Sequence, residues 1–261
     1  MASFNGQAIE DWIDDLEDVS ANATFNTYRK VLHAFFEDQR ARKVIRENPC
    51  AQIRGRDDTL EHVGILSVAQ TAQIFLTALS YFTTTHGHKF RAMLPRLATE
   101  AFAGMRTSSA IHLEKSDINF ADRGILLPKR KLKTKRRHYI DGPPKNLWPW
   151  MELASAETWL TTENEYSHLK VELFERPNVP HPHNCFRHGF ASYHVAAFKN
   201  PGTTAYILCH RDQQVLWEHY KGNAKEADGR AYFTITPKTV AQMAEGFEPA
   251  ALQVVPSPVP S

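Results

Sequence analysis

Apolar residues recur at three- and four-residue spacing along most of this chain, and the stretch that departs most clearly from it is Gly124 to Gly142, GILLPKRKLKTKRRHYIDG. Helical spacing keeps a stripe of side chains on one face, whereas strand residues alternate between two. Ile125, Leu126 and Leu127 on one side of the basic run, and Tyr139 and Ile140 on the other, predict two strands joined by a positively charged turn. Helices dominate elsewhere. Ile9, Trp12, Ile13 and Leu16 lie at i, i+3, i+4 and i+7, and Phe25, Tyr28, Leu32, Phe35 and Phe36 mark a second helix over Thr24 to Lys43. Further helices are predicted over SVAQTAQIFLTAL with Ser67 as cap, across Met93 to Gly104, over TSSAIHLEK after Arg106, and through most of the chain after DGPPKN except the loop RPNVPHPHN. The expected class is mainly α with a small antiparallel β-sheet, an α+β fold.

A chain of 261 residues exceeds the usual size of one domain. NPCAQIRGRDDTLEHVG has little periodicity and carries Pro49 and Gly55, so it reads as the linker out of an N-terminal helical bundle, residues 1–58. Residues 59–247 form a larger domain, and the Pro-rich VVPSPVPS belongs to a flexible tail, 248–261. No apolar run approaches the roughly 18 residues that span a bilayer, and the start MASFNGQAIEDW lacks the basic and apolar regions of a signal peptide. A cytoplasmic protein with no membrane partner is expected. Cys50, Cys185 and Cys209 are odd in number and widely spaced, against a disulfide framework or a thiolate zinc site. The pairs His86/His88, His181/His183 and His188/His194 match no ligand motif such as H-E-x-x-H, so no metal is expected.

The net charge of +2 names no partner, but its distribution is uneven. Lys129, Arg130, Lys131, Lys133, Lys135, Arg136 and Arg137 fall within nine residues, a run suited to phosphates when carried on a turn. Glu10 to Asp18 holds six acidic residues in nine, mostly on the outer face of the first helix, where they would repel DNA. In NCFRHGFASYHV, Phe186, Phe190, Tyr193 and the following Ala197 define the buried stripe of a helix, and Arg187 lies one position off it. A guanidinium at a core edge needs an anion. That anion is either a carboxylate elsewhere in the fold or a phosphate brought by a ligand.

Four strings, in order and spacing, resemble the catalytic domain of the tyrosine recombinases, the phage-integrase-like site-specific recombinases: AGMRTSSAIHLEKSDI, KLKTKRRHYI, RHGFASYHVAAF and LCHRDQQVLWEHYKG. The resemblance covers Glu61 to Thr236, and the helical unit before it looks like the family's short core-binding domain, which binds DNA. It implies a site-specific recombinase or integrase acting on double-stranded DNA as a homotetramer, associated with the nucleoid when bound. It also implies strand exchange through a 3′-phosphotyrosyl bond that keeps the energy of the broken phosphodiester, so that neither metal, ATP nor any other cofactor is used.

Carried over residue by residue, the resemblance gives Arg106 and Arg187 the stabilisation of the phosphate oxygens, with bidentate geometry that lysine cannot match. Lys133 becomes the general acid for the leaving 5′ oxygen, His210 a phosphate or proton-transfer partner, and Tyr220 the nucleophile. Two positions depart from the pattern. Ser109 stands where an acidic residue usually follows the first arginine, which leaves Glu114 as an alternative support. Asn184 stands where a histidine usually precedes the second, and an amide cannot take a proton from tyrosine. His183 is four residues before Arg187, and on a helix both i−3 and i−4 share a face with i, so the usual base position falls on His183 or Asn184 and His183 is expected to cover the role. Cys209 replaces a usual glycine, and ten residues separate His210 from Tyr220 where nine are common. Two other readings remain at this point: a degenerate relative that only binds DNA, and a type IB topoisomerase-like nicking-closing enzyme.

Overall fold

A computed structural model describes residues 5–16, 22–57, 64–80, 87–128, 137–153, 159, 162–210, 213, 216, 220 and 222–245. The chain forms two units, Met1–Glu61 and His62–Ser261.

In the first unit, α1 (Gly6–Asp14) starts where Asn5 accepts a hydrogen bond from the Ala8 N–H at 2.8 Å. Ile9 and Ile13 of α1 and Phe25 of α2 (Asn22–Ala41) are buried with Cys50 and Ile53. The segment expected to be a linker is therefore partly core. Asn48 Nδ2 donates to His33 O at 3.0 Å and Asn48 Oδ1 accepts from Cys50 N at 2.9 Å, turning the chain back onto α2. Trp12 and Phe35, expected on the buried stripes, are 50% and 55% exposed. Two helices and one returning segment cover only a narrow stripe, and both rings fall at its margin. The acidic face of α1 is partly neutralised within its own unit: Arg56 meets Asp14 at 2.7 Å and Glu10 at 3.7 Å, with its guanidinium 3.6 Å from the Phe25 ring centroid.

The second unit contains α3 (Val68–Ser80), α4 (Gly87–Ala103), the short α5 (Thr107–Ala110), a three-stranded sheet, α6 (Leu147–Glu152), α7 (Glu163–Glu175), α8 (Cys185–Phe198), α9 (Pro201–Ile207), α10 (Glu226–Tyr232) and α11 (Pro237–Glu245). The class is mainly helical with a small antiparallel sheet, as the periodicity predicts. The strands β1 (Ile118–Asn119), β2 (Gly124–Leu127) and β3 (His138–Asp141) lie in the order β1-β2-β3. In the β2–β3 pair Ile125 faces Ile140 and Leu127 faces His138. β1 was not foreseen, because two residues are too short to show a period. Residues 129–136, which carry Lys129, Arg130, Lys131, Lys133, Lys135 and Arg136, lie outside the described residues, as does the tail from 246.

Helix α4 begins at Gly87, well before the expected Met93, and contains Pro95. Proline removes one ladder bond. Phe90, Met93, Leu94, Leu97, Ala98, Ala101 and Phe102 are nevertheless all buried, and that apolar area outweighs the lost bond. TSSAIHLEK forms only the four residues of α5 and then a 3₁₀ turn, Lys115–Asp117.

α8 lies in the middle of this core. Its first eleven residues are buried except His188, so it is enclosed on nearly all sides rather than along one stripe. The Tyr193 ring stacks on Tyr232 of α10 at 4.4 Å between centroids, Tyr193 Oη donates to Leu66 O at 2.8 Å, and Tyr232 Oη donates to Ala101 O at 2.8 Å. α10 approaches so closely because Gly229 faces α8: a Cβ there would sit 2.6 Å from Tyr193 O and 2.9 Å from Ala197 N. Gly229→Ala is expected to destabilise the protein by about 1–3 kcal/mol, because both obstacles are backbone and the helices must separate. A thermal unfolding midpoint unchanged from the parent would contradict this.

Candidate active site

The site is assembled where four chain segments of the second unit end or turn beside α8. α4 stops at Gly104, whose φ of +61° suits glycine and whose missing side chain leaves room for Phe190 and Leu208. The chain then emerges at Arg106, which caps α5 in an extended conformation and accepts Ser109 N and Ala110 N at 2.8 and 2.9 Å.

α9 ends in a Schellman motif: Cys209 N donates to Tyr206 O at 3.0 Å and His210 N to Ala205 O at 2.8 Å. Cys209 supplies the left-handed residue at φ +55°, a position glycine fills without strain. The motif fixes the direction in which His210 leaves the helix.

Arg187 is 7% exposed, yet among the described residues no carboxylate pairs with it. Its partners are backbone: Nη1 donates to Gly104 O at 2.6 Å and Nη2 to Leu208 O at 2.9 Å. A guanidinium has five N–H donors. These two bonds tie α8 to the ends of α4 and α9, and among the described residues no other hydrogen bond engages the guanidinium. Burial first, then the positive charge of Arg106, pushes the Arg187 pKa down to about 10. It stays protonated at neutral pH.

The two histidines and the tyrosine complete this cluster. His210 is pushed down to about 4, chiefly by burial and then by Arg187, Arg106 and His188, so its imidazole is neutral at pH 7. Tyr220 is helical and 7% exposed. Burial raises its phenol pKa, and the opposing pull of Arg187 and Arg106 does not overcome it. The phenol therefore keeps its proton in the free protein. Its Oη lies 2.8 Å from Nδ1 of His188.

Three other tyrosines of this unit have different surroundings. Tyr193 and Tyr232 are core residues with raised pKa values, and Tyr206 Oη donates to Tyr139 O at 2.9 Å.

His183 and Asn184 are placed otherwise than helical spacing implies. α8 begins at Cys185, and Asn184 before it is left-handed at φ +53°, a conformation asparagine tolerates better than most residues. His183 precedes that turn, so the i−4 relation to Arg187 does not apply. It is exposed, two residues after His181, which stacks on Phe174 at 4.0 Å. His194 is also away from the site: it is buried with Nδ1 2.7 Å from Thr204 Oγ1 and is neutral, its pKa lowered to about 4 by burial.

Support for the Arg106 segment comes from residues that the sequence did not single out. Glu100 of α4, 2% exposed, receives Tyr166 Oη at 2.6 Å on one oxygen, and Lys170 Nζ and Thr107 Oγ1, each at 2.6 Å, on the other. Lys170 also donates to Thr107 Oγ1 at 3.1 Å. Thr107 directly follows Arg106, so this buried cluster pins the segment that Ser109 leaves without its usual acid. Glu114 instead caps the 3₁₀ turn, its N–H donating to Asp117 Oδ2 at 2.9 Å. The signal was present: Glu100 interrupts an apolar run, and Tyr166 and Lys170 share a helix face at i, i+4.

No family model matches the sequence, and no curated protein does. Solved structures share its fold. The Tn1549 transposon integrase in complex with circular intermediate DNA superposes with a TM-score of 0.61 at 16% identity, over 87% of this chain and 84% of that one. A lambda integrase dimer bound to a COC′ core site gives 0.63 at 13% identity, over 84% and 81%. The XerH site-specific recombinase bound to its palindromic difH substrate gives 0.63 at 12% identity, over 92% and 72%. These are tyrosine recombinases, so the resemblance carried by the four strings extends to the fold.

Proposed function

We propose that the protein is a site-specific DNA recombinase or integrase that cleaves and rejoins strands through a 3′-phosphotyrosyl intermediate. The observation that carries this reading is Arg187, a buried cation with no carboxylate partner among the described residues, set beside Arg106, His210 and a buried tyrosine hydroxyl. A lone positive cluster of this kind is stabilised by an anion, and a phosphodiester supplies one with two non-bridging oxygens. The fold likeness to integrases and recombinases solved with DNA supports duplex DNA as that ligand.

In this mechanism Arg106 and Arg187 bind the phosphate oxygens, where negative charge grows as phosphorus becomes five-coordinate. Neutral His210 donates one N–H to the same oxygens. Tyr220 attacks phosphorus, and the 5′ oxygen leaves with a proton from Lys133 on the basic hairpin. The 5′ hydroxyl of a second strand then displaces Tyr220, so the covalent bond drives rejoining without ATP or a metal. The basic hairpin grips the backbone, residues 1–58 serve as the core-binding part, and exchange proceeds in a homotetramer on two sites.

The test is covalent trapping on nicked suicide duplexes drawn from the DNA flanking the gene, in EDTA. The parent is expected to form an adduct that survives denaturation, and Tyr220→Phe to form none. Intact DNA binding without any adduct from the parent would overturn the reading in favour of a DNA-binding protein.

A further inference from the structure

We infer that His188 is the general base that takes the Tyr220 proton, an assignment that rests on the recombinase reading. The need for a base follows from burial, which leaves the phenol protonated in the free protein. Four groups near the N-terminus of α8 or the end of α9 are candidates, and geometry separates them. Asn184 carries an amide, which accepts a hydrogen bond but not a proton. His183 lies before the helix starts and is exposed. His210 sits among the arginines and suits donation to a phosphate oxygen. His188 alone among the described histidines has a ring nitrogen at hydrogen-bond distance from Tyr220 Oη, 2.8 Å.

The placement of His188 is built in. Its backbone N–H donates to Asn184 O at 2.9 Å in the first turn of α8, one residue after Arg187. Adjacent helical positions diverge by about 100°. Arg187 thus reaches the ends of α4 and α9 while His188 reaches Tyr220, so one rigid helix sets both the phosphate-binding group and the base. The two rings are tilted at 31° with centroids 5.9 Å apart, and Nδ1 is the ring atom that meets the hydroxyl.

The step balances. The phenol O–H bond breaks as Oη bonds to phosphorus, and its proton passes to Nδ1, giving an imidazolium. The bond from phosphorus to the 5′ oxygen breaks with its electron pair, and that oxygen takes a proton from the Lys133 ammonium. On rejoining, the incoming 5′ hydroxyl returns its proton to Lys133, and the imidazolium returns its own to the departing phenolate. The enzyme ends as it began.

The experiment measures single-turnover adduct formation by the parent and His188→Gln, each with Tyr220 as tyrosine or as a fluorinated tyrosine of lower pKa. Glutamine keeps a hydrogen-bond acceptor near the phenol but cannot carry the proton away. His188→Gln is expected to slow adduct formation by about 10²- to 10⁴-fold with DNA affinity little changed. Fluorination is expected to recover more of the rate in His188→Gln than it changes in the parent, because a more acidic phenol needs less help. A His188→Gln rate within about threefold of the parent, or a loss that fluorination leaves untouched, would overturn the assignment while leaving the recombinase reading intact. No adduct from the parent would overturn that reading and the base together. The nitrogen NMR shift of His188 decides independently of activity and of the variant's folding: an unprotonated Nδ1 in the free protein supports the inference, and a protonated one removes it.

Discussion

Replacing Arg187 by lysine is expected to lower the rate of adduct formation by about 10³- to 10⁵-fold, the range seen when an arginine that neutralises phosphoryl-transfer charge is removed. Lysine keeps the charge, so the effect isolates geometry. The guanidinium donates at the same time to Gly104 O at 2.6 Å, to Leu208 O at 2.9 Å and, on the proposed mechanism, to a phosphate. A single ammonium cannot hold two carbonyls on different segments and still offer a planar pair of donors to the ligand. At least one carbonyl then loses its partner, at a cost of about 1–3 kcal/mol. The measurement is single-turnover trapping beside a thermal melt. A melt lowered by a few degrees with a rate lowered a thousandfold separates loss of chemistry from loss of fold. A rate within tenfold of the parent would show that Arg187 only fastens α8 to its neighbours.

The residues that form this site were legible to different degrees, for physical reasons that differ. Arg187 could be singled out because a charge beside an apolar stripe is costly wherever it lies. Whether it faced a carboxylate or a ligand could not be read, since that depends on the carbonyls of Gly104 and Leu208, which any sequence possesses. Nothing in the sequence spacing aims His188 at Tyr220. A two-residue difference in where α8 begins decides which histidine shares a face with what, and Asn184 in the left-handed region puts that start past His183. The fold class followed from periodicity, which is strong for long helices and one basic hairpin and absent for β1. The exposure of Trp12 and Phe35 shows the opposite failure: a correct helical period says which side chains share a face, not whether a small unit has enough chain to cover it.

The Glu100 cluster leads to the second large effect, on stability. Glu100→Gln leaves the Lys170 ammonium buried without a counter-charge, and breaking one side of a buried pair costs about 3–5 kcal/mol. For a unit of this size each kcal/mol lowers the midpoint by about 2–4 °C, so a fall of about 6–20 °C is expected in a thermal melt. The pair is not equally valuable as a pair, because desolvating two charges offsets much of their attraction. Glu100→Gln combined with Lys170→Met is therefore expected to recover most of the loss. The glutamine carbonyl can accept from Tyr166 Oη, and its amide can donate to Thr107 Oγ1, so the cluster becomes neutral and loses only the two bonds from Lys170. Adduct formation then tells how the cluster serves Arg106. If shape is what matters, the rate returns with the double variant, since residue 100 again holds Thr107. If the melt recovers and the rate does not, the carboxylate charge itself acts on Arg106, and Glu100 fills electrostatically the place that Ser109 leaves empty. The geometry favours shape: the carboxylate oxygens are taken up by Tyr166, Lys170 and Thr107, and their charge is spent on Lys170 before it reaches the arginine.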